Sequence, residues 1–292
     1  AFPGLTHDWA TVGSGKIMGR WWRQRKDFMN HSIRAAMEKV LRDPSDIPWL
    51  DLLTLVEDLF AQRHIQIYAR DPEVQSFLHR HGWDGAMAEA EGDYLLCVDS
   101  NVGYNKVTSN VDQTINYTVD IHEVANARAQ LTIHYVNRSE DHSGPCNKFE
   151  QYVPAYKALA HGCYWDYVRV YVPSGAELIE AHGGDEAVDI FSELDRTVFA
   201  TYFVLRPGEE RELRFVYDLP SGMVRDGVYQ LDVQKQAGTR AIPLQVAISG
   251  LGKPTIGGNP GAAGEVQGDR VIYGTDLLVD RHFSVKFADG AR

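Results

Sequence analysis

The chain has 292 residues, 44% of them hydrophobic, and a formal net charge of -11. This apolar content is sufficient for one large or two modest domains, and the negative charge opposes attraction to nucleic acid and to anionic lipid headgroups. No window approaches the roughly 18 consecutive apolar residues of a membrane span. The sequence begins at Ala1 without an initiator methionine, so we expect a processed or trimmed chain whose signal or anchor would lie upstream.

The first third of the sequence carries apolar residues at helical spacing. Residues 28–41 and 49–60 each repeat them every three or four positions, which predicts two amphipathic helices. Residues 64–69 alternate instead and predict a short strand. Asp71 followed by Pro72 is typical of a helix start, and this third helix should end near His81.

The stretch from Asp93 to Lys106, DYLLCVDSNVGYNK, separates this helical part from a part with strand-like alternation. Its run Tyr94 to Val98 is short and continuously apolar, which predicts a buried strand that anchors the helices. The polar residues that follow are expected to fix a turn through hydrogen bonds from side chains to backbone. They are Asp99, Asn101, Asn105 and Lys106.

Beyond Lys106 the apolar and polar residues alternate over many short segments. Residues 115–121 and 129–135 predict a hairpin with one buried face. Further strands are expected at residues 164–172, 197–205, 212–219, 229–235, 242–248, 270–273 and 282–287. This pattern favours an antiparallel, immunoglobulin-like β-sandwich over a barrel. Two long connections, an acidic one at residues 174–195 and a glycine-rich one at residues 250–268, are predicted to be surface loops.

These segments indicate an α+β chain with three regions. Residues 1–110 would form a helical α+β region, and residues 111–220 would form a β-sandwich. Residues 221–292 would form a C-terminal β region. That last region either makes a second β module, with a split near residues 217–227, or belongs to the same sandwich.

The signatures of common enzymes are missing from the sequence. Gly13-Ser14-Gly15-Lys16 lacks the first glycine and the final Ser or Thr of a phosphate-binding loop, and no G-x-S-x-G elbow occurs. The acidic connection has weak calcium candidates but lacks the alternating ligands and central glycine of a calcium loop. These candidates are Asp185, Glu186 and Asp189. We predict no cofactor and no metal.

Aromatic residues flank several of the predicted turns, where a ring could stack on a sugar. The candidates for such a glycan contact are Trp83, Tyr104, Tyr164 and Trp165. Most aromatic rings serve burial first, so the competing interpretation is that these four belong to the core.

Three cysteines allow one disulfide with one thiol left over. Cys97 lies in the apolar run after Asp93, where a small buried residue is expected. Cys146 and Cys163 could form a disulfide, worth roughly 3 kcal/mol in an oxidising compartment. With His142 and His161 they could instead build a zinc site, although the spacing is not a standard zinc pattern. The residues alone leave disulfide, zinc and reduced thiols open.

Five stretches carry a resemblance to a known family. They are RHIQIYARDPEVQSFLHRHGWDG from Arg63, DYLLCVDSNVGYNKV from Asp93, PC at Pro145, GCYWDYVRVYVPSGAEL from Gly162 and VFATYFVLRPGEERELRFVYDLP from Val198. In order and spacing they resemble a bacterial family known only as domain of unknown function 4012. The resemblance covers most of the chain from about Trp21 to Val233.

The resemblance implies an exported envelope protein whose precursor carries an upstream transmembrane helix and a further N-terminal region. Residues 1–110 would then be the C-terminal part of a larger domain. Family members share two cysteines that match Cys146 and Cys163, which implies a disulfide, and their genes often lie beside genes for surface polysaccharides. The family supplies no activity and no catalytic residues.

We therefore expect a non-enzymatic, extracytoplasmic cell-envelope or surface-assembly component that acts through protein–protein contacts or self-assembly. The first alternative is a surface polysaccharide-binding module. The second is an envelope enzyme that acts on glycan or lipid-linked precursors. The sequence leaves open whether the chain catalyses a reaction, although the missing signatures favour a non-enzyme.

Overall fold

The computed structural model describes residues 27–103, 105–123, 126–140, 146, 160–250, 252–257 and 262–288. Within these residues the chain folds into three α-helices followed by two β-sheets, so the α+β class is confirmed. None of the helices in this part of the chain has the length and hydropathy of a membrane span.

The helices lie where the apolar spacing predicts them. They are α1 (Asp27–Arg42), α2 (Trp49–Ala61) and α3 (Pro72–Arg80). The Asp71 carboxylate accepts hydrogen bonds from the backbone N–H groups of Glu73 and Val74, at 2.9 and 3.2 Å, which confirms the predicted start of α3. The strand predicted at residues 64–69 is wrong. Ile67 donates one backbone hydrogen bond to Trp83, and the segment otherwise lacks strand pairing in the described structure.

Fifteen strands are found in the described residues. They are β1 (Asp93–Asn101), β2 (Val111–Glu123), β3 (Asn126–Asn137), β4 (Tyr164–Pro173), β5 (Glu177–His182), β6 (Asp189–Glu193), β7 (Arg196–Leu205), β8 (Glu210–Asp218), β9 (Val224–Arg225), β10 (Val228–Val233), β11 (Pro243–Gly250), β12 (Pro254–Ile256), β13 (Gly264–Gln267), β14 (Arg270–Asp276) and β15 (Arg281–Phe287). Every strand predicted after Lys106 is present, with bounds shifted by a few residues.

The strands form two sheets that share one buried core. The first sheet has the order β12-β15-β10-β1-β4-β7-β6, with β9 beside β10, and the second has the order β13-β14-β11-β2-β3-β8-β5. Most neighbours are antiparallel, but β1 pairs with β10 and β2 with β11 in parallel. The sandwich is therefore mixed, which corrects the purely antiparallel prediction. Alternation shows which face a residue occupies but not the direction of the neighbouring strand.

Both sheets take strands from each side of residue 220. β10 lies beside β1, and β11 lies beside β2. The described strands of residues 221–292 therefore lie in the same two sheets as the strands of residues 111–220. β1, from the region assigned to the helices, lies in the middle of the first sheet.

Four short strands lie in the two connections that were predicted to be loops. β5 and β6 fall in the acidic connection, and β12 and β13 in the glycine-rich one. All four are the outermost strands of their sheets. An outermost strand has only one neighbour and exposes more of its side chains to water, so its sequence lacks the apolar alternation of an inner strand.

The segment between α2 and β1 attaches the helices to the first sheet. The Arg63 guanidinium is buried and pairs with the Asp280 carboxylate, with an N–O distance of 2.5 Å. Met87, Ala88 and Ala90 cover the outer face of the sheet beside Tyr94. This attachment leaves much of α1 and α2 exposed, as described below.

Candidate functional site

The inner face of β1 carries a carboxyl group near each end. Asp93, Leu95, Cys97 and Asp99 alternate along the strand and face the second sheet. Leu95 and Cys97 belong to the apolar core, and burial raises the pKa of the Cys97 thiol. The two aspartates are polar groups next to this core. Each carboxyl group needs hydrogen-bond partners that offset the cost of burying it.

Asp93 is fully buried and accepts hydrogen bonds from tyrosines of both sheets. The hydroxyl groups of Tyr117 on β2, at 2.6 Å, and Tyr229 on β10 both donate to Asp93 Oδ2. Tyr217 on β8 donates to the Tyr117 hydroxyl oxygen at 3.0 Å, and the Tyr94 backbone N–H donates to Asp93 Oδ1 at 2.7 Å. One carboxyl group thus connects the two sheets through a chain of buried hydroxyls.

This environment changes the acidity of Asp93. Burial raises the pKa of its carboxyl group to about 6, even though the Tyr117 and Tyr229 hydrogen bonds oppose that rise. Burial also raises the pKa of all three tyrosine hydroxyls, so they stay neutral donors.

A second polar cluster lies toward the other end of β1. The Tyr135 hydroxyl on β3 donates to Asp99 Oδ1 at 2.7 Å, and the Gln113 amide donates to the Tyr135 oxygen at 3.3 Å. Asp166 on β4 is fully buried, and neither of its carboxyl oxygens has a partner in hydrogen-bond geometry within the described residues. Asp99 and Tyr164 are nonetheless close enough to affect its acidity.

Asp99 and Asp166 therefore act on each other as two neighbouring carboxyl groups, of which Asp166 is fully buried and Asp99 is partly buried. Burial raises the pKa of Asp166 well above its usual range, and the charge of Asp99 adds to the rise. Burial likewise raises the pKa of Asp99, while the Tyr135 hydrogen bond lowers it. Each carboxyl group thus opposes the ionisation of the other, because ionising both together is costly.

The predicted turn after β1 is only partly as expected. Asp99 does not belong to it, because β1 continues to Asn101 and the Asp99 side chain contacts Tyr135 inside the sandwich. Asn101 accepts from the Gly103 backbone N–H at 2.9 Å and donates to Asn105 at 2.7 Å, and Asn105 donates to the Cys163 carbonyl at 2.9 Å. These two asparagines hold the connection against β4. The side chain of Lys106 is exposed.

The rings considered for glycan stacking are not gathered on one surface. Tyr164 and Trp165 are 1% and 2% exposed, so they present no ring face to a ligand. Trp83 is half-buried and stacks on Phe60 with ring centroids 4.4 Å apart. Tyr104 lies outside the described residues. Burial at the sandwich interior explains the two core rings, as the competing interpretation held.

The structure pairs Cys146 with Cys163 in a disulfide, and Cys97 is a free, buried thiol. His142 lies outside the described residues. The calcium candidates do not converge. The Asp185 carboxylate pairs with Arg211, Asp189 lies within β6, and no three His, Cys, Asp or Glu side chains in the described part of the chain could hold a metal ion together.

Two surface cavities lie on the described part of the chain, and neither is lined by Asp93, Asp99 or Asp166. The larger of these two, about 250 Å³, lies between β5 and the start of β6, and its lining includes Phe215 and Val188. The smaller, about 110 Å³, is lined by His282 and Asp232, whose side-chain atoms are 2.7 Å apart. Both are below the roughly 300 Å³ of a typical small-molecule site.

The exposed apolar side chains are a surface feature that the sequence analysis did not single out. Most of them occur on α1 and α2 and at the edge formed by β5 and β6, and others occur on or near α3 and on β12 and β13. Those on the helices include Met29, Ile33, Met37, Leu41, Leu50, Leu53 and Leu55, and those at the edge are Ile179, Ile190, Phe191 and Leu194. The helical spacing in the sequence shows that these helices have an apolar stripe, but not that the stripe is left uncovered.

No family model matches the chain, and no curated protein matches it. Among solved structures, the chain is similar to a candidate nutrient-binding protein from Legionella pneumophila, with 6% identity, a TM-score of 0.42 and coverage of 68% of this chain and 72% of that one. It is also similar to an M1 zinc metallopeptidase from Deinococcus radiodurans, with 10% identity, a TM-score of 0.30 and coverage of 61% and 42%. Yeast LTA4 hydrolase matches at 6% identity and a TM-score of 0.35, with coverage of 63% and 30%.

The chain spans less than half the length of the last two proteins. At these scores the similarity assigns neither an activity nor a substrate to this chain. The resemblance to the family of unknown function 4012 stays a prediction.

Proposed function

We propose that this chain is a non-enzymatic, extracytoplasmic component of a cell-envelope or surface assembly, and that it acts through protein–protein contacts made by α1 and α2. The Cys146–Cys163 disulfide supports an oxidising compartment. We also propose that the sandwich is immunoglobulin-like, that the protein lies in the cell envelope, and that its precursor is anchored in a membrane.

The observation that carries this proposal is the exposure of one stripe along α1. Met29, Ile33, Met37 and Leu41 recur at every fourth position and are 57%, 58%, 58% and 75% exposed. On α2, Leu50 and Leu53 are 81% and 61% exposed. We call these six side chains the helical face. An exposed apolar stripe of this kind is uncommon on an isolated soluble protein, and it supports a contact site.

We assign the helical face to a second copy of this chain, on the basis of charge. α1 carries Arg34, Lys39 and Arg42 and also Asp27 and Glu38, so it has a small positive net charge. α2 carries only acidic charges, on Asp51, Glu57 and Asp58. None of the three basic side chains of α1 or the three acidic side chains of α2 forms an ion pair within the described residues. If α1 of one copy packs on α2 of the other, a two-fold axis repeats the contact and brings opposite charges together at both sites.

The other two functions have less support. A polysaccharide-binding module needs exposed rings along a groove, and Tyr164 and Trp165 are buried. An envelope enzyme needs convergent acid and base groups in an open cleft, whereas the paired carboxyl groups found here are in the core.

Substituting Ile33 with glutamate should weaken self-association by at least about tenfold, because a charge would enter an apolar contact. The measurement is sedimentation velocity of the purified chain over a wide concentration range. Ala35→Glu is the matched control, since Ala35 is exposed on the side of α1 opposite the stripe, so it adds the same charge there and should leave association unchanged.

The proposal predicts a dimer for the unsubstituted chain at high concentration. A chain that stays monomeric at all concentrations would contradict it. So would equal weakening by the two substitutions, or recruitment of the monomer to vesicles of anionic phospholipid through the same residues.

A further inference from the structure

One side of the sandwich is left open, and β5 and β6 are the strands that border it. β5 pairs only with β8, and β6 pairs only with β7. Their outer edges therefore present backbone N–H and C=O groups that no strand in the described residues covers. An edge of this kind can accept an added strand from another chain.

The opposite side of the sandwich has two edge strands as well. There β12 pairs only with β15 and β13 pairs only with β14. These two edge strands approach each other, because a Cβ atom placed on Gly264 of β13 would meet the Cδ1 atom of Ile256 on β12 at 3.1 Å. The β5–β6 side differs in having a cavity between its edge strands.

The side chains of β6 are apolar where a soluble edge would be polar. Ile190 and Phe191 are 57% and 37% exposed, although Ile190 lies directly opposite Phe199, which is fully buried in the core. Residues directly opposite each other share one face of a sheet, so Ile190 belongs to the inner face and is left without a cover. Leu194, at the tip of the β6–β7 hairpin, is 69% exposed.

A cavity of about 250 Å³ opens between the two edge strands at the start of β6. Val188 and Phe215 line its apolar part, and Glu186 and His182 lie at its margin. Phe215 is itself fully buried in the core. A side chain of an added strand could therefore occupy the cavity beside Val188, above the buried ring of Phe215.

The negative charge around this edge indicates which kind of segment could bind there. Residues 177–195 contain seven acidic side chains and neither lysine nor arginine. Asp185, Glu180 and Glu193 pair with Arg211, Arg214 and Arg169 of neighbouring strands. Within the described part of the chain, no basic group lies within ion-pair distance of the other acidic residues. They are Glu177, Glu186, Asp189 and Asp195.

Like charges opposite each other destabilise a strand pair, so a second copy of β6 would be repelled through Asp189 and the nearby Asp195. An extended segment with basic residues would be attracted by the same side chains. We propose that β6 accepts an added β-strand from an extended, basic peptide segment of another protein, with one apolar side chain of that segment placed in the cavity beside Val188.

This surface is separate from the helical face, so the two proposals can fail independently. The probe is a synthetic ten-residue peptide that alternates lysine and valine, labelled for fluorescence anisotropy. We expect it to bind the full chain, to bind more weakly as salt is raised, and to lose at least about tenfold in affinity with Ile190→Lys. Val266→Lys on β13 is the matched control, because Val266 is also exposed at an edge, and it should leave binding unchanged.

Two further peptides separate strand addition from charge attraction. A peptide methylated at alternate backbone nitrogens cannot complete the hydrogen-bond ladder and should not bind, and a peptide with glutamate in place of lysine should not bind either. Equal binding of the methylated peptide, equal loss with Val266→Lys, or no binding of the lysine peptide would overturn the proposal. Ile33→Glu should leave peptide binding unchanged, whatever it does to self-association.

Discussion

Replacing Asp93 with alanine should lower the free energy of unfolding by about 3–5 kcal/mol near pH 4. Above pH 6 the substitution should cost less, and the cost should be about 3 kcal/mol smaller than at pH 4. The substitution leaves the Tyr117 and Tyr229 hydroxyls and the Tyr94 backbone N–H buried without their acceptor. Each such group costs roughly 1–3 kcal/mol. The effect is large because one carboxyl group serves donors from both sheets.

The pH dependence follows from the raised pKa of Asp93. The pKa of Asp93 is about 6 in the folded chain, against an ordinary value of 3.8. Asp93 therefore stabilises the folded chain fully below pH 3.8, and this stabilisation is lost as pH rises toward 6. The loss is about 3 kcal/mol, at 1.36 kcal/mol for each pH unit. Urea unfolding of both chains between pH 4 and pH 8 measures the difference.

Tyr229→Phe is the matched control and should show the opposite trend. Its hydroxyl hydrogen bond lowers the pKa of Asp93, so without it the pKa rises further and the cost of the substitution grows above pH 6. A difference between Asp93→Ala and the unsubstituted chain that stays constant with pH would show that Asp93 ionises normally and that its cluster is misassigned.

Replacing Asp166 with asparagine should stabilise the chain by about 1–3 kcal/mol at pH 8, because the amide removes the cost of burying a group that tends to ionise and keeps its capacity for hydrogen bonds. The pKa of Asp166 is raised by burial and by Asp99. Its carboxyl group therefore lowers stability as pH rises above 3.8, and the amide does not titrate. An amide N–H at this position can also donate to the Asp99 carboxylate. The gain should disappear near pH 4.

Asp99→Asn tests whether each of the two carboxyl groups opposes the ionisation of the other. Either single substitution should remove most of the repulsion, so the double substitution should gain much less than the sum of the two. Thermal unfolding at pH 8 gives all three values. Additive gains, or a loss of stability with Asp166→Asn at alkaline pH, would contradict this mutual effect on ionisation.

The sequence predicts the inner strands and the helices well, because an element with one apolar face has apolar residues at a regular spacing. β2 and β3 show strict alternation, and Asp71-Pro72 specifies the start of α3 through a cap that depends on neighbouring residues only. The edge strands β5 and β6 could not be found this way, since both expose most of their side chains.

The polar clusters around Asp93 and Asp99 could not be predicted from the sequence, for a different reason. Asp93 and Asp99 occupy inward positions of β1, but the sequence pattern there is apolar, so it gives no sign of a polar partner. Their partners, Tyr117 and Tyr135, come from the other sheet and lie 24 and 36 residues away along the chain. Only the packing of the two sheets brings these groups together, and the parallel pairing of β1 with β10 adds Tyr229.

The central claim, that the helical face is a contact surface in the native assembly, can be measured by thiol labelling in the native source. Ile33→Cys and Ala35→Cys chains are treated with a maleimide that does not cross membranes, before and after unfolding. Ala35 is exposed on the side of α1 opposite the stripe, and the free native thiol, Cys97, is buried. We expect the thiol at position 33 to be protected in native material and the thiol at position 35 to react, with both reacting after unfolding. Equal labelling of both positions in native material would contradict the claim.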